Sequence, residues 1–424
     1  RVPVFSEDGS VAWKRHGDLV PGDRVFKRDG SPQEVLAVFP QGEQDVYRVH
    51  TWDGRHLDVG GPHLWGVYTA KMRSNKHKGK NVQPRVMTTL EMLEAGVVRT
   101  YSHQSRTMER VKFFIPMNEA VQWPEVDLPV DPYAVGVFIG NGCLTQKQLT
   151  LSSNDPSVVR RVSETIGFAF KKQSVDGYNW VFVTGKKFGQ NDKLVQTTDL
   201  FAELPDLVGV YSAQRCIPRQ YMTASIEQRW ELVRGLFDTD GSISNSTDRY
   251  NISYSTFSQS LAEDVRELLF SLGVPSTIKV FTRTKDDGRV LVEYIVRVKS
   301  GNDDKARFFW LERKRAIAEE AKISTCTKRV TSSLRIILRS PSSSQRSCSV
   351  TTNVTLCVST CRNGAETTAL ISSVKNSLVT CGQRVTVCCS SMRLRRRHRS
   401  LYACCSKCSM TVVCPIRMVA KCRS

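Results

Sequence analysis

The chain has 424 residues and a formal net charge of +20, a length that fits two or three domains. The charge is uneven, because residues 323–424 hold 17 of the 61 Lys and Arg residues and a single acid, Glu366, and they also hold every cysteine except Cys143 and Cys216. Composition argues against a helical membrane protein or a secreted precursor, since no run of 18 apolar residues and no signal peptide is present, and we expect a soluble, cytoplasmic protein whose start at Arg1 indicates processing or truncation.

Residues 1–117 are predicted to form an all-β module. Asp-Gly or Gly-Asp pairs recur between alternating segments such as VYRV at 46–49, a pattern typical of short strands and tight turns. The stretches GDLVPGDRVF (17–26) and DGRHLDVGGPHLWGV (53–67) resemble the N-terminal half of the Hint fold of inteins, in which an endonuclease is inserted within a protein-splicing domain. The resemblance implies that His63 polarises the scissile amide, although Gly60 stands where a threonine is expected.

Other features that splicing requires are absent. The resemblance implies a Cys or Ser at the first position and a terminal His-Asn pair, whereas this chain starts at Arg1, ends in AKCRS and has no His-Asn pair after residue 322. The C-terminal strands of a Hint domain are not recognisable either. We therefore expect a partial Hint domain that does not splice. A hydrogen-bonded histidine at a strand edge is the alternative interpretation of His63.

A connector with several prolines, 118–131, precedes an internal repeat at 132–301. YAVGVFIGNG (133–142) and LVRGLFDTDG (232–241) are predicted helices whose final glycines lie 99 positions apart. A strand and an amphipathic helix follow each, which divides the region into copies at about 132–210 and 216–301. Two copies imply a pseudo-twofold domain in which the equivalent helices meet at the axis.

Small residues mark the predicted contact between these helices. Gly136 and Gly140 in the first helix, like Gly235 and Thr239 in the second, lie four residues apart and therefore on one helix face. Such spacing lets two backbones approach closely.

The contact would bring the helix C-termini together with their polar residues. Asp238 and Asp240 end the second helix, and Asn141 ends the first. Because a helix C-terminus carries partial negative charge, we expect a strongly negative site that binds Mg²⁺ or Mn²⁺ beside Asp240. An ordinary helix contact and an ordinary turn are the alternative for either motif taken alone.

The paired helices, with the segment CIPRQYMTASIEQRWELVRGLFDTDGSIS (216–244), resemble the LAGLIDADG homing endonucleases in their single-chain form. The resemblance implies an α+β fold of two αββαββα halves, a strand saddle in the DNA major groove, and metal-dependent hydrolysis of both strands of double-stranded DNA by a monomer. It places the metal-binding acids on Asp240 and on Asn141, a neutral amide, with Asp238 a weaker candidate. A family lysine falls on Arg215, which is expected to contact phosphate.

Asn141 removes one anionic metal ligand. We therefore expect cleavage that is weak, biased to one strand or absent. A DNA-binding protein with decayed nuclease activity is the alternative to an active endonuclease.

The segment TIKVFTRTKDDGRVLVEYIVRVKS (277–300) is predicted to be a hairpin with its turn at Asp287-Gly288. Alternation gives it a basic face made of Lys279, Arg283, Lys285, Arg289 and Arg297. Basic residues on a two-stranded ribbon suit the DNA major groove. A solvated sheet face is the alternative.

Residues 302–322 are predicted to be a charged, helical return segment, and 323–424 a basic tail with little ordered structure, since Tyr402 is its only aromatic residue. Three interpretations of the tail stay open. Cys404, Cys405 and Cys408 with His398 fit a zinc module, residues 393–399 fit a DNA-binding arm, and a coding frame that slipped after about residue 322 would give chance sequence.

Overall fold

The structure is a computed structural model that describes residues 2–5, 11–40, 44–103, 106–173, 177–185, 193–246, 249–299, 302–320, 331–338, 354–357, 392–397, 400–405 and 408–414. Its strands are β1 Val2–Phe5, β2 Val11–Lys14, β3 Arg24–Phe26, β4 Pro32–Glu34, β5 Ala37–Pro40, β6 Val46–Thr51, β7 His56–Gly60, β8 Leu64–Thr69, β9 Arg85–Thr88, β10 Val98–His103, β11 Arg106–Val111, β12 Phe113–Pro116, β13 Thr150–Ser152, β14 Ala169–Lys172, β15 Asn179–Val183, β16 Gly241–Ser246, β17 Arg249–Thr256, β18 Ser276–Thr284, β19 Val290–Val298, β20 Thr331–Leu338, β21 Val354–Cys357, β22 Met392–Arg397, β23 Ser400–Cys405 and β24 Cys408–Cys414. The α-helices are α1 Ala70–His77, α2 Thr89–Glu94, α3 Pro132–Asn141, α4 Pro156–Ile166, α5 Thr197–Leu200, α6 Arg219–Met222, α7 Ile226–Thr239, α8 Gln259–Ser271 and α9 Glu312–Glu320. None of the helices in these ranges combines the length and apolarity needed to cross a bilayer.

The N-terminal module is rich in strands but is not all β, which corrects the sequence prediction. Helices α1 and α2 flank β9, and α2 begins at a capping box in which Thr88 and Glu91 each satisfy the other's backbone N–H. Residues 70–77 contain no glycine or proline, so a helix is available there between strands.

A six-stranded sheet in this module takes one strand from the far end of the chain. Its order is β7-β6-β20-β12-β8-β9, so β20 lies between β6 and β12, with Thr331 opposite Pro116. Strand β21 pairs with β5 in the same way. The sequence analysis expected no such returning strands, because the pattern of Leu334, Ile336 and Leu338 is too short to separate from chance.

The predicted repeat is visible as two copies of a helix, a sheet and a second helix. Helix α3 begins after the cap Asp131, α7 begins after the cap Ser225, and α4 and α8 lie where the second helix of each copy was expected. The second copy has a four-stranded sheet, β16-β17-β19-β18. The first shows three strands, β13-β15-β14, in its described residues, where the resemblance implies four.

One hydrophobic core joins both copies, and it is centred on α3 and α7. Phe138 and Phe237 occupy equivalent positions in the two copies, and both are fully buried. The return segment forms a 3₁₀ helix, Asn302–Phe308, followed by α9. Phe308 and Phe309 bring this segment into the same core.

The connector 118–131 is bonded to both units. The Val121 N–H donates to Ser271 O at 2.8 Å on one side, and the Gln122 N–H donates to Gly30 O at 2.9 Å on the other. The buried guanidinium of Arg229 donates to Val121 O and, at 2.6 Å, to Ser271 Oγ. The connector therefore fixes the N-terminal module against the repeat.

Helices α3 and α7 touch through glycine. A Cβ atom at Gly136 would lie 2.5 Å from Leu232 O, and one at Gly235 would lie 2.9 Å from Val137 N and overlap Tyr133 O. Both positions are too tight for any side chain, so the two helices stay in contact only with glycine there.

Replacement of Gly235 by alanine is expected to destabilise the chain. The Cβ must push the helices apart, which should cost about 2–4 kcal/mol despite the gain of about 1 kcal/mol in helix propensity. Gly66→Ala is the matched control, because its Cβ would make only ordinary contact with Pro84 at 3.8 Å. Urea unfolding followed by circular dichroism measures both, and an unchanged midpoint for Gly235→Ala would contradict the close contact.

Candidate functional site

The C-termini of α3 and α7 converge at one point of the repeat. Helix α3 ends at Asn141 with Gly142 as its cap, and α7 ends at Thr239 with Asp240 as its cap. A Cβ at Gly140 would overlap the Thr239 side chain, so the two helix ends lie side by side. The negative ends of two helix dipoles therefore meet there.

Arg215 caps the end of α3. Its Nη1 donates to Ile139 O at 2.6 Å and to Gly140 O, and its Nη2 donates to Gly142 O at 2.6 Å. Its pKa is lowered by burial and raised again by the neighbouring charge of Asp240. The immediate role of Arg215 is thus to satisfy helix carbonyls, and its predicted contact with phosphate stays a prediction.

Lys314, on α9, caps the end of α7 in the same way. Its Nζ donates to Phe237 O and Asp238 O at 2.8 Å and to Gly241 O at 2.6 Å. Burial lowers its pKa to about 8, against the charge of Asp238. The cap places a second buried cation beside the helix ends.

Lys314 was missed by the sequence analysis, although a signal for it exists. Lys314 follows Arg215 by 99 positions, which is the same spacing that separates Gly241 from Gly142. Arg215 and Lys314 are thus equivalent residues of the two copies. They also show that the expectation of a strongly negative site is wrong, because each helix end already carries a protein cation.

Asp240 stands at this point with an unpaired carboxylate. It is half-buried, and no hydrogen bond or ion pair to its carboxylate oxygens exists in the described part of the chain. Burial raises its pKa to about 6, while the charges of Arg215 and Lys314 act in the opposite direction. The side-chain amide of Asn141 also lacks a partner among the described residues, so two oxygen donors remain free at the helix ends.

Two further polar atoms beside Asp240 lack partners. The Tyr254 hydroxyl and the Arg215 Nε are buried without a hydrogen bond in the described residues. Burial raises the pKa of Tyr254, and the charge of Asp240 adds to this effect. Tyr254 therefore stays a neutral donor next to the site.

Asp238 faces the core, and the structure gives it a packing role. It accepts a hydrogen bond from the Tyr133 hydroxyl at 3.0 Å and from the backbone N–H groups of Trp310 and Leu311 at 3.3 and 3.1 Å. Burial raises its pKa to about 6. These contacts hold the start of α9, which carries Lys314, so Asp238 supports the site from behind.

The hairpin β18–β19 has the register that alternation predicted, with Lys279 opposite Ile295 and Arg283 opposite Leu291. Two of the predicted DNA contacts are already paired, since Arg283 lies 3.4 Å from Glu293 and Arg289 lies 2.5 Å from Asp287. The other three, Lys279, Lys285 and Arg297, have no carboxylate partner in the described residues. These three cations are available to an external anion.

The residues tied to splicing lie at a turn of the N-terminal module. The His63 N–H donates to Gly60 O at 3.2 Å, and the His63 ring packs edge-on to Trp65 with 4.8 Å between ring centroids. The His63 carbonyl accepts from the Thr89 N–H at 3.0 Å. This geometry leaves the splicing role of His63 a prediction.

The tail cysteines fall on two paired strands. Cys405 lies opposite Cys408 in the β23–β24 pair, while His398 falls outside the described residues. Within the ranges described, no group of three or more His, Cys, Asp or Glu side chains is placed to share a metal ion. The zinc interpretation gains nothing from this arrangement.

Comparison with known families assigns the second copy. Residues 227–309 match the model of a family described as LAGLIDADG-like domain. The match covers α7, Asp240 and the β16–β19 sheet. The chain thus contains a LAGLIDADG-like domain within an α+β fold.

Two curated proteins are similar to longer stretches of the chain. The replicative DNA helicase DnaB of Mycobacterium intracellulare is 27% identical over 277 residues, covering 62% of this chain and 40% of the helicase. The A-type polypeptide of DNA gyrase from Mycobacterium kansasii is 22% identical over 291 residues, covering 62% of this chain and 46% of the gyrase polypeptide. The chain spans less than half the length of either relative.

Solved structures show a more distant likeness. The homing endonuclease I-DmoI in complex with DNA and Mn matches with 15% identity and a TM-score of 0.26, covering 46% of this chain and 97% of I-DmoI. The N-terminal LAGLIDADG domain of DUF199/WhiA matches with 10% identity and a TM-score of 0.25, covering 46% and 81%.

The raised pKa of Asp240 predicts a pH-dependent stability. The folded chain holds this proton more tightly than the unfolded chain, whose pKa is 3.8, so stability falls as the pH rises from about 4 to about 6 and stays lower above that range. Asp240→Asn should therefore be more stable than the parent by about 1–2 kcal/mol at pH 8, with the difference vanishing near pH 4. Urea unfolding in EDTA at both pH values checks this.

Glu164→Gln removes the same charge from an exposed position and should match the parent at both pH values. A parent that is more stable than Asp240→Asn at pH 8 would show that the ionised carboxylate stabilises the fold.

Proposed function

We propose that the chain is a site-specific DNA endonuclease of the homing type, which hydrolyses phosphodiester bonds of double-stranded DNA with a divalent metal ion. The observation that carries this proposal is the contact of α3 and α7 at Gly136 and Gly235. That contact places the unpaired carboxylate of Asp240 where the two halves of a pseudo-symmetric domain meet. The match of residues 227–309 to a LAGLIDADG-like domain supports the same proposal.

The free donors at the helix ends fit Mg²⁺ or Mn²⁺. Both ions prefer oxygen ligands, and Mg²⁺ commonly uses one or two protein carboxylates and completes its shell with water and substrate phosphates. Asp240 and the amide oxygen of Asn141 supply such donors, and the unpaired atoms of Tyr254 and Arg215 border the same space. When bound, the ion supplies electrophilic stabilisation of the charge that develops on a phosphodiester during hydrolysis.

The chain's own residues bring the DNA backbone to this point. Arg215 and Lys314 offset the negative helix ends, which lowers the repulsion that a polyanion would meet there. Lys279, Lys285 and Arg297 lie on the exposed hairpin and are placed to contact phosphates or base edges in the major groove. Asp240 is then the acid held closest to the cleavage point.

A DNA-binding protein with decayed nuclease activity is the second candidate. Asn141 favours it, because an amide supplies one neutral oxygen where Asp240 supplies an anionic carboxylate. The cations of the hairpin do not depend on either residue, so binding would survive the loss of cleavage.

We also propose that the endonuclease is embedded in a degenerate intein that does not splice, and that it acts as a monomer in the cytoplasm. Strands β20 and β21 return to the N-terminal module after the repeat, an arrangement expected of a domain inserted into a Hint fold. The chain is similar to stretches of a helicase and of a gyrase polypeptide, as expected of an element inserted into unlike hosts.

Asp240→Asn is expected to lower cleavage at least about 100-fold, because the substitution removes the anionic donor at the helix ends. The parent is first incubated with a randomised duplex library and Mg²⁺ or Mn²⁺, and the selected substrate then serves for all variants. Binding in EDTA should stay within about threefold of the parent, since the hairpin cations are untouched.

Glu164→Gln controls for the change in charge, and EDTA should abolish cleavage by the parent. If Asp240→Asn cleaves as fast as the parent, the site assignment fails. If the parent binds duplex DNA but cleaves no library member, the decayed nuclease becomes the better description.

Asn141→Asp is expected to convert nicking into cutting of both strands. Each copy faces one strand of a pseudo-twofold duplex, and the substitution gives the first copy the acid that the second has in Asp240. Supercoiled plasmid carrying the selected site distinguishes the products, since nicked circles should give way to linear DNA by about 10-fold or more. An unchanged ratio of nicked to linear product would contradict the equivalence of Asn141 and Asp240.

A further inference from the structure

The hairpin β10–β11 of the N-terminal module is a two-stranded ribbon outside the six-stranded sheet. Its register places Arg99 directly opposite Arg110 and Tyr101 opposite Met108 on one face. Both arginines are exposed, and the Arg110 guanidinium lies 4.4 Å from the centroid of the Tyr101 ring. Neither arginine has a carboxylate partner among the residues that the structure describes.

This arrangement is unfavourable for the chain alone. Like charges directly opposite each other on antiparallel strands repel, and a two-stranded hairpin is only marginally stable by itself. A single substitution at Arg99 or Arg110 would remove the repulsion. An external anion that binds both guanidinium groups would remove it as well.

A groove adjoins the ribbon and adds further cations. It has a volume of about 670 Å³ and lies between α1 and β11, with Arg73, Lys78 and Arg110 in its lining and Glu109 as the acid. The Arg73 guanidinium lies 4.5 Å from the ring centroid of Phe114 at the groove wall. The lining thus combines three cations and one acid, a net positive charge that suits phosphate groups.

The sequence around α1 extends the same charge. The stretch AKMRSNKHKGK, residues 70–80, contains five Lys or Arg residues and no acid. Cations spaced along a helix and a ribbon, with an aromatic ring between them, match a polyanionic backbone better than a single small anion.

We propose that this surface, the β10–β11 ribbon with the adjoining α1 groove, binds the backbone of duplex DNA beyond the segment held by the LAGLIDADG-like domain. The inference rests on the proposed function for its choice of DNA as the partner. A two-stranded ribbon fits the major groove of B-DNA, and the deep, narrow major groove of an RNA duplex would exclude it.

The N-terminal module is held firmly enough for both surfaces to act on one duplex. Besides the connector, Arg55 bridges the two units, with its guanidinium 3.3 Å from the ring centroid of Phe270 and 3.8 Å from a Glu267 oxygen. Because the units are fixed to each other, contact at the ribbon lengthens the bound DNA segment. Affinity then gains from both surfaces without a flexible tether.

The test compares double variants of the full chain on a 40-bp duplex in EDTA, with binding followed by fluorescence anisotropy over a range of salt concentrations. Arg99→Gln/Arg110→Gln is expected to weaken binding about 5–10-fold and to reduce the slope of log K against log salt by about 2, one for each phosphate that the variant no longer neutralises. Arg15→Gln/Arg160→Gln removes the same charge from exposed positions outside both surfaces and should leave the slope within experimental error.

Thermal unfolding separates binding from folding. The ribbon variant should unfold at the parent's temperature or above it, because the opposed charges are gone. A lower unfolding temperature would mean that the arginines serve the fold, and it would overturn the inference.

A third double variant, Lys279→Gln/Arg297→Gln, distinguishes this inference from the proposed function. If the ribbon variant binds like the control while the hairpin variant is weakened, the inference fails and the proposed function stands. If only the ribbon variant is weakened, the inference stands and the DNA contact of β18–β19 fails. A parent that binds no duplex DNA, or prefers an RNA duplex of the same sequence, overturns the inference and the choice of DNA together.

Discussion

The close contact between α3 and α7 is the constraint on which the rest of the structure depends. With glycine at 136 and 235, two backbones meet and the cores of both repeat copies fuse into one. The same approach brings two helix C-termini together, and their carbonyls need positive partners. Arg215 and Lys314 supply these partners from equivalent positions. The packing of small residues in the core therefore decides where charge can collect at the surface.

The site at these helix ends is costly for the fold. Asp240 remains half-buried without a partner among the described residues, and burial opposes its ionisation. Asn141 carries no charge and so avoids this cost in the first copy, at the expense of an anionic ligand. The asymmetry between the copies is thus a trade between stability and metal binding, which is common where function needs an unpaired group.

The sequence was sufficient for features that repeat or alternate. The 99-residue spacing located both central helices, the glycines between them and Asp240, and alternation located the β18–β19 hairpin. Charge at the site was not predictable in the same way, because Lys314 reaches α7 from a helix 73 residues after Gly241. The orientation of Asp238 likewise depended on Trp310 and Leu311, which only the folded chain brings beside it. Strand β20 was missed because its pairing partners lie more than 200 residues away.

That strand has a consequence for how the molecule is built. Pro116 and Thr331 are direct neighbours across β12 and β20, so the whole LAGLIDADG-like region forms an excursion that starts and ends at one edge of a strand pair. Loop-closure entropy delays this pairing until the excursion has collapsed. The repeat should therefore fold first and act as its own spacer, drawing the two ends close enough for the sheet to close around the last strand to arrive.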